Sequence, residues 1–272
     1  MLVTGSTDGL GREIARALAV QGAHVIVHGR NAERGLALVD EITKSGKGSA
    51  IFLAADFSSL KAVRDFAATI AKKYPKLDLL VSNAGVAIAG RQPRQTSADG
   101  HELRFAVNYL AGWVLVNRLR PNLAAAAPSR IVNVASGSAN AIDFDDVMLE
   151  RPGAHRRGYG QSKLAQVSMT VELAPSFAKQ GITMIALHPA TMMDTTMVRG
   201  LGAAPMTSVE EGRDHVMSLI TAPALEAGAF YVHGRPSRAA DPQPYDAAAR
   251  KRLAALSAGS RHWTSPSGGF TF

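Results

Sequence analysis

Short apolar runs alternate along this chain with longer stretches whose apolar residues recur every three or four positions. The runs cover residues 2–3, 24–28, 50–54, 77–81, 130–134, 183–187 and 229–232. The longer stretches cover 10–20, 32–44, 60–73, 100–123, 159–179 and 209–219. A run that is apolar at nearly every position has both faces buried, which suits a strand inside a parallel sheet. A stretch with helical spacing buries one stripe and leaves the other to solvent. Their alternation predicts βαβ units: an α/β fold with a doubly wound parallel sheet and helices on both faces. One domain over residues 1–257 accounts for the pattern, and 258–272, rich in Ser and Gly, reads as a loose tail. Either the first strand is a stub or the true start lies upstream of Met1, because Gly5 follows Val3 almost at once and a strand usually has about five or six residues.

Composition narrows the possibilities. The chain has 272 residues, 46% hydrophobic and 19% charged, which is globular and leaves room for one well-buried core. It has no cysteine, which removes disulfides, thiolate nucleophiles and cysteine-bound metals. The formal charge is +8, but Lys and Arg are spread along the chain, so no nucleic-acid surface is expected. The local cluster Arg250-Lys251-Arg252 reads as the exposed face of a helix. No run approaches the ~20 apolar residues of a membrane span and no signal peptide is visible, so no membrane anchor is expected and the protein is placed in the cytoplasm. His101, His155, His188 and His215 follow no metal-ligand spacing, and no metal is expected.

Thr4-Gly5-Ser6-Thr7-Asp8-Gly9-Leu10-Gly11 lies between the first strand and the first helix. A glycine-rich turn there lets backbone N–H groups approach a pyrophosphate, and the helix dipole favours its charge. The alternative is a tight turn that serves only close packing. The second strand runs out at Arg30, where an NAD site carries an acid for the ribose 2′-hydroxyl. A guanidinium pairs instead with a 2′-phosphate, so NADP(H) is favoured over NAD(H) unless Arg30 is merely an exposed residue.

Tyr159 and Lys163 are four residues apart at the start of a helix and share one face. A neighbouring ammonium lowers a phenol's pKa and fits it for proton exchange with a carbonyl or alcohol oxygen. The 130–134 strand delivers Ser136 at its carboxyl end, where ligands of open parallel sheets bind. Asn83, Ala84 and Gly85 follow the fourth strand in the same way, and Asn108 is a polar residue inside an apolar helical pattern.

These pieces, in this order, resemble the short-chain dehydrogenase/reductase family: TGSTDGLG from Thr4, Asp56 in AADFSS, NAG at Asn83, VNYL around Asn108, VNVAS ending at Ser136 and YGQSK from Tyr159. SADGHELRFAVNYL, AIDFDDVMLE and PYDAAARKRLAALS are similar to the retinol-dehydrogenase-like and WW-domain-oxidoreductase-like group. The resemblance implies a Rossmann-type fold and a catalytic set of Asn108, Ser136, Tyr159 and Lys163. Tyr159 would be the acid/base and Ser136 would orient the substrate oxygen. Lys163 would hold the nicotinamide ribose and depress the tyrosine pKa, and Asn108 would hold a water in a proton relay. Gly5, Ser6, Thr7, Gly9, Leu10 and Gly11 would cradle the cofactor. Asp56, with Phe57 beside it, would meet adenine, and Asn83, Ala84 and Gly85 the adenosine ribose. Pro189 stands where the family has Pro-Gly, but Ala190 follows it here. The threonine that meets the nicotinamide amide is Thr191 or Thr195.

The Met-rich 191–208 segment would form a lid, with Met192, Met193, Met197 and Met206 as an adaptable apolar wall or else as ordinary core. Phe144 and Met148 would face it across a lipophilic or aromatic carbonyl or alcohol substrate. The family implies a homodimer or homotetramer paired through the helices that carry Asn108 and Tyr159. Two other functions fit the fold: a non-catalytic cofactor sensor or scaffold, and a nucleotide-sugar epimerase. The first usually lacks the tyrosine or lysine, and the second usually has a longer C-terminal part.

Overall fold

The computed structural model describes residues 1–89 and 92–259. Eight strands form one sheet in the order β3-β2-β1-β4-β5-β6-β7-β8. These are β1 (Leu2–Val3), β2 (His24–Gly29), β3 (Ser49–Ala54), β4 (Leu79–Ser82), β5 (Ser129–Val134), β6 (Ile182–His188), β7 (Phe230–Val232) and β8 (Arg235–Ser237). Every pair is parallel except β7–β8, a short antiparallel hairpin at the edge. The order reverses between β1 and β4, and the carboxyl ends of those two strands open the crevice in which such sheets bind ligands.

The central strands are largely apolar because each face is covered. Successive side chains point to opposite faces. Leu2, Ile26, Leu80, Ile131 and Met184 therefore pack on α3 (Leu60–Lys73), α4 (Ala111–Arg118) and α6 (Gly158–Ala178). Val3, Val27, Val81, Val132 and Ile185 pack on α1 (Gly9–Val20), α2 (Ala32–Ser45) and α8 (Val209–Thr221). Full burial of each such side chain contributes roughly 1.5–3 kcal/mol. α7 (Thr196–Gly200) is a single turn inside the Met-rich segment.

The 100–123 pattern does not make one helix. Residues 105–110 form a π-helical turn that runs into α4, and α5 (Arg120–Ala125) starts afresh after Leu119. Pro121 explains the second break, since its ring clashes with the carbonyl four residues back and it has no N–H to give. Pro175 is tolerated inside α6 because it sits on the exposed side, where water can satisfy the freed carbonyl.

The expected boundary at 257 falls inside a helix. α9 (Ala247–Gly259) includes Ser257, which is buried, with its Oγ 2.6 Å from the Tyr109 hydroxyl. Leu253 enters the core and Arg250 pairs with Glu172 of α6 at 3.0 Å. The rest of the expected tail, 260–272, lies outside the described residues. α9 packs along α6, so pairing between copies through α6 would bring α9 into the interface too. Among the described residues no helix is long and apolar enough to cross a membrane.

Candidate functional site

The chain leaves β1 at Val3 and turns into α1 through the glycine-rich segment. Gly5 has φ +63°, and a Cβ on it would stand 2.7 Å from the Ala84 Cα. A Cβ on Gly11 would run into the Gly5 carbonyl and the Asn83 amide. These positions need glycine because two loops meet there, which also leaves backbone rather than side chain facing the crevice. Asp8 caps α1, its carboxylate accepting from Gly9 N–H at 2.8 Å and pairing with Arg34 at 3.0 Å. The Leu10 and Gly11 N–H groups belong to the first helical turn, which intrahelical bonds leave without acceptors. Ser6 is buried and faces inward: its hydroxyl donates to Val3 O at 2.7 Å and accepts from His28 N–H at 3.0 Å. Thr7 packs on Gly29 at the end of β2.

Thr4 joins the two strands of the crevice. Its hydroxyl donates to Val81 O and accepts from Asn83 N–H at 2.9 Å and Ala84 N–H at 3.0 Å. The Asn83 side-chain amide returns the contact, donating to Thr4 O and Gly5 O at 2.9 and 3.1 Å. His28 braces the other side. Its Nδ1 accepts from Gly5 N–H at 3.1 Å and its Nε2 lies 3.2 Å from Ala55 O, which fits the neutral ring with the proton on Nε2. Burial pushes its pKa down to about 4.

Arg30 is exposed at the end of β2, with no ion-pair partner among the described residues. Asp56 stands at the end of β3, one carboxylate oxygen accepting from Ser58 N–H at 2.9 Å. Phe57 turns into the core, its ring stacked on His28 at 4.0 Å. Its side chain is therefore a brace, and any contact of Phe57 with adenine would be through its main chain.

Past the carboxyl end of β5, Ser136 and the half-buried Tyr159 come together, and the Ser136 hydroxyl accepts from Ser138 N–H at 3.1 Å. Burial raises the Tyr159 pKa and the neighbouring Ser136 side chain opposes the rise. Lys163 lies one turn further along α6, with Nζ 5.9 Å from the centre of the tyrosine ring and donating to Val134 O at 2.7 Å. Burial pushes the Lys163 pKa down to about 7. The tyrosine is thus set above its ordinary value in this arrangement, whereas the spacing alone predicts a lowering by Lys163.

Asn108 sits in the π-helical turn, where an extra residue per turn swings its side chain out of the helical register. Its Oδ1 accepts from Val86 N–H at 2.7 Å. Its Nδ2 donates to Val86 O at 3.1 Å and to Ser162 Oγ at 2.9 Å. The side chain thus ties the loop after β4 to α6, and any water would have to meet its main chain. Ser162, which in turn donates to Tyr159 O at 2.8 Å, was not singled out from the sequence, although it lies inside YGQSK. Thr4 and His28 were likewise passed over as supports, because their roles depend on contacts across strands.

After β6, Pro189 is buried and the Thr191 hydroxyl lies 3.1 Å from His188 Nε2. Thr195 caps α7 and covers the glycine turn, since a Cβ on Gly9 would stand 3.2 Å from its methyl group. Of the two threonines, Thr195 is the one brought to the cradle. Met197 and Met206 are exposed and Met193 packs on Gly212 of α8. Met148 is buried, its sulfur accepting from Glu102 N–H, so it is core and not a substrate wall.

The sequence profile described as short chain dehydrogenase matches residues 1–205. Human retinol dehydrogenase 13 is 40% identical over 195 residues, 70% of this chain and 57% of that protein. The chain thus matches little more than half the length of that relative. Among solved structures, a Pseudomonas aeruginosa RhlG/NADP active-site complex is 25% identical with a TM-score of 0.69, covering 85% of this chain and 93% of the other. A metagenomic short-chain oxidoreductase in complex with NADP is 25% identical with a TM-score of 0.66, covering 87% and 96%.

Proposed function

The chain belongs to the short-chain dehydrogenase/reductase family, and from that premise we propose that it is an oxidoreductase exchanging hydride between NADP(H) and a carbonyl or alcohol on a small lipophilic molecule. The observation that carries this reading is the convergence of Ser136, Tyr159 and Lys163 beyond the carboxyl end of β5, beside the topological switch point.

The crevice suits a dinucleotide. Its glycines leave backbone where a side chain would collide, α1 presents its first turn to it, and Arg30 offers an exposed guanidinium with no ion-pair partner among the described residues. The first turn of α1 would hold the pyrophosphate, Arg30 the 2′-phosphate, Asp56 the adenine, and Asn83 to Gly85 the adenosine ribose. Lys163 would hold the nicotinamide ribose, and Thr195 or Thr191 the amide. The bound cofactor supplies or accepts the hydride.

The protein's own groups manage the substrate oxygen. Ser136 donates a hydrogen bond to it and fixes its position between the strand end and α6. Tyr159 gives that oxygen its proton during reduction and takes it back during oxidation. A tyrosine raised by burial keeps its proton at neutral pH and so rests in the form that reduction consumes. Lys163, set to about 7, can carry or release a proton in the same range. Two solved relatives of this fold were found with NADP, which supports the phosphorylated cofactor for this chain.

Titration of the purified protein with NADPH and NADH tests the reading. Tighter binding of NADPH is expected, followed by carbonyl-dependent loss of its absorbance. Binding of neither would sink the enzyme reading in favour of a scaffold. Arg30→Asp should weaken the NADPH preference by roughly 10- to 100-fold, the ~1.5–3 kcal/mol of a hydrogen bond to a charged group. An unchanged preference would remove Arg30 from the 2′-phosphate site.

A further inference from the structure

We propose that the buried Glu102–Arg104 ion pair is a positioning device that sets Tyr159 against Asn108. Both side chains are sealed from solvent, with Arg104 2% and Glu102 0% exposed, and Arg104 Nε donates to Glu102 Oε1 at 2.7 Å. Each partner holds a different part of the site. The second carboxylate oxygen of Glu102 accepts from Phe105 N–H at 2.8 Å, the first residue of the π-helical turn that carries Asn108. Arg104 Nη2 donates to His155 O at 2.6 Å, in the turn Ala154–Arg157 that leads into α6. The guanidinium lies so close to the start of α6 that a Cβ on Gly158, the residue before Tyr159, would stand 2.6 Å from its Cζ.

Stability alone is a poor reason for such a pair, because apolar residues of similar volume commonly serve as well or better. What it provides is direction. A planar fork bonded to a carboxylate on one side and a carbonyl on the other fixes the distance between two backbone segments. Catalysis is sensitive at that scale, since a displacement of about 1 Å can cost on the order of 10²-fold.

This inference rests on Tyr159 as the acid/base, and the test separates the two. The variants are Glu102→Leu/Arg104→Met, an apolar exchange that keeps the volume, and Arg104→Lys, which keeps the charge without the fork. Three readouts are taken: NADPH affinity, kcat against KM, and the ultraviolet titration of the Tyr159 phenol, isolated by subtracting a Tyr159→Phe background. The expected result for the double variant is unchanged NADPH affinity and KM, kcat lower by on the order of 10²-fold, and a displaced phenol titration. Arg104→Lys should recover only part of kcat. A folded double variant with wild-type kcat and phenol titration would overturn the proposal. So would a loss of kcat that only tracks lost NADPH binding and thermal stability. The phenol readout needs no activity, so it still reports if Tyr159 proves not to be the acid/base.

Discussion

Tyr159→Phe should lower carbonyl reduction by roughly 10²- to 10⁴-fold, the usual range for losing a general acid, and leave NADPH affinity unchanged. The ring stays, so the packing of α6 on the sheet stays with it. Only the proton donor is removed from the reacting oxygen. Stopped-flow measurement of NADPH oxidation at saturating substrate reads the effect directly. Activity within a few-fold of wild type would show that the proton comes from elsewhere.

Lys163→Met should separate function from stability. The lysine is buried, and among the described residues it donates to Val134 O and is paired with no carboxylate. Burial lowers its pKa from 10.5 to about 7. Between those values the unfolded chain binds a proton that the folded chain lacks, so the stability of the wild type rises with pH across that window. Below about pH 7 the folded state bears the full cost of enclosing an ammonium. Methionine removes that cost and keeps most of the volume. It leaves Val134 O without its donor, so a net gain on the order of 1–3 kcal/mol is expected at pH 6–7. The gain should shrink toward pH 10.5, as thermal or urea unfolding at several pH values would show. The Met1 amine is also lowered from 8.0 by burial, but it is common to both proteins and cancels in the difference. Activity should fall by the same order as for Tyr159→Phe. A variant no more stable than wild type at pH 6 would mean that the ammonium has a partner that offsets its burial.

Much of this architecture is local in origin and therefore readable. The sheet follows from the spacing of apolar runs, the cradle from the glycines at a strand–helix junction, and the shared face of Tyr159 and Lys163 from helical geometry. What escaped depends on contacts far apart in sequence. FAVNYL has the apolar spacing of an ordinary helix, and only its packing reveals the extra residue per turn at 105–110. Ser257 borders a Ser- and Gly-rich stretch, and its partner, Tyr109, is 148 residues away. Position along the chain points Phe57 to adenine and Met148 to the substrate, and neither reveals that the side chain lies in the core. The Glu102–Arg104 pair is invisible in the sequence, where two charges beside an apolar run look like solvent-facing residues.

The two-residue β1 has a consequence for how the molecule opens. β1 sits between β2 and β4 and pairs by Leu2 and Val3, with Ile26 and Val27 on one side and Leu80 and Val81 on the other. The sheet resembles two leaves on a narrow spine, and the β2–β3–α2 leaf is the smaller. That leaf should unlatch as a unit, its amides exchanging with deuterium sooner than those of β5 and β6. A dinucleotide laid across the switch point would grip both leaves, so NADPH should slow exchange in β2 and β3 more than anywhere else. Cofactor binding would then also be the fastening that makes the sheet a single cooperative body.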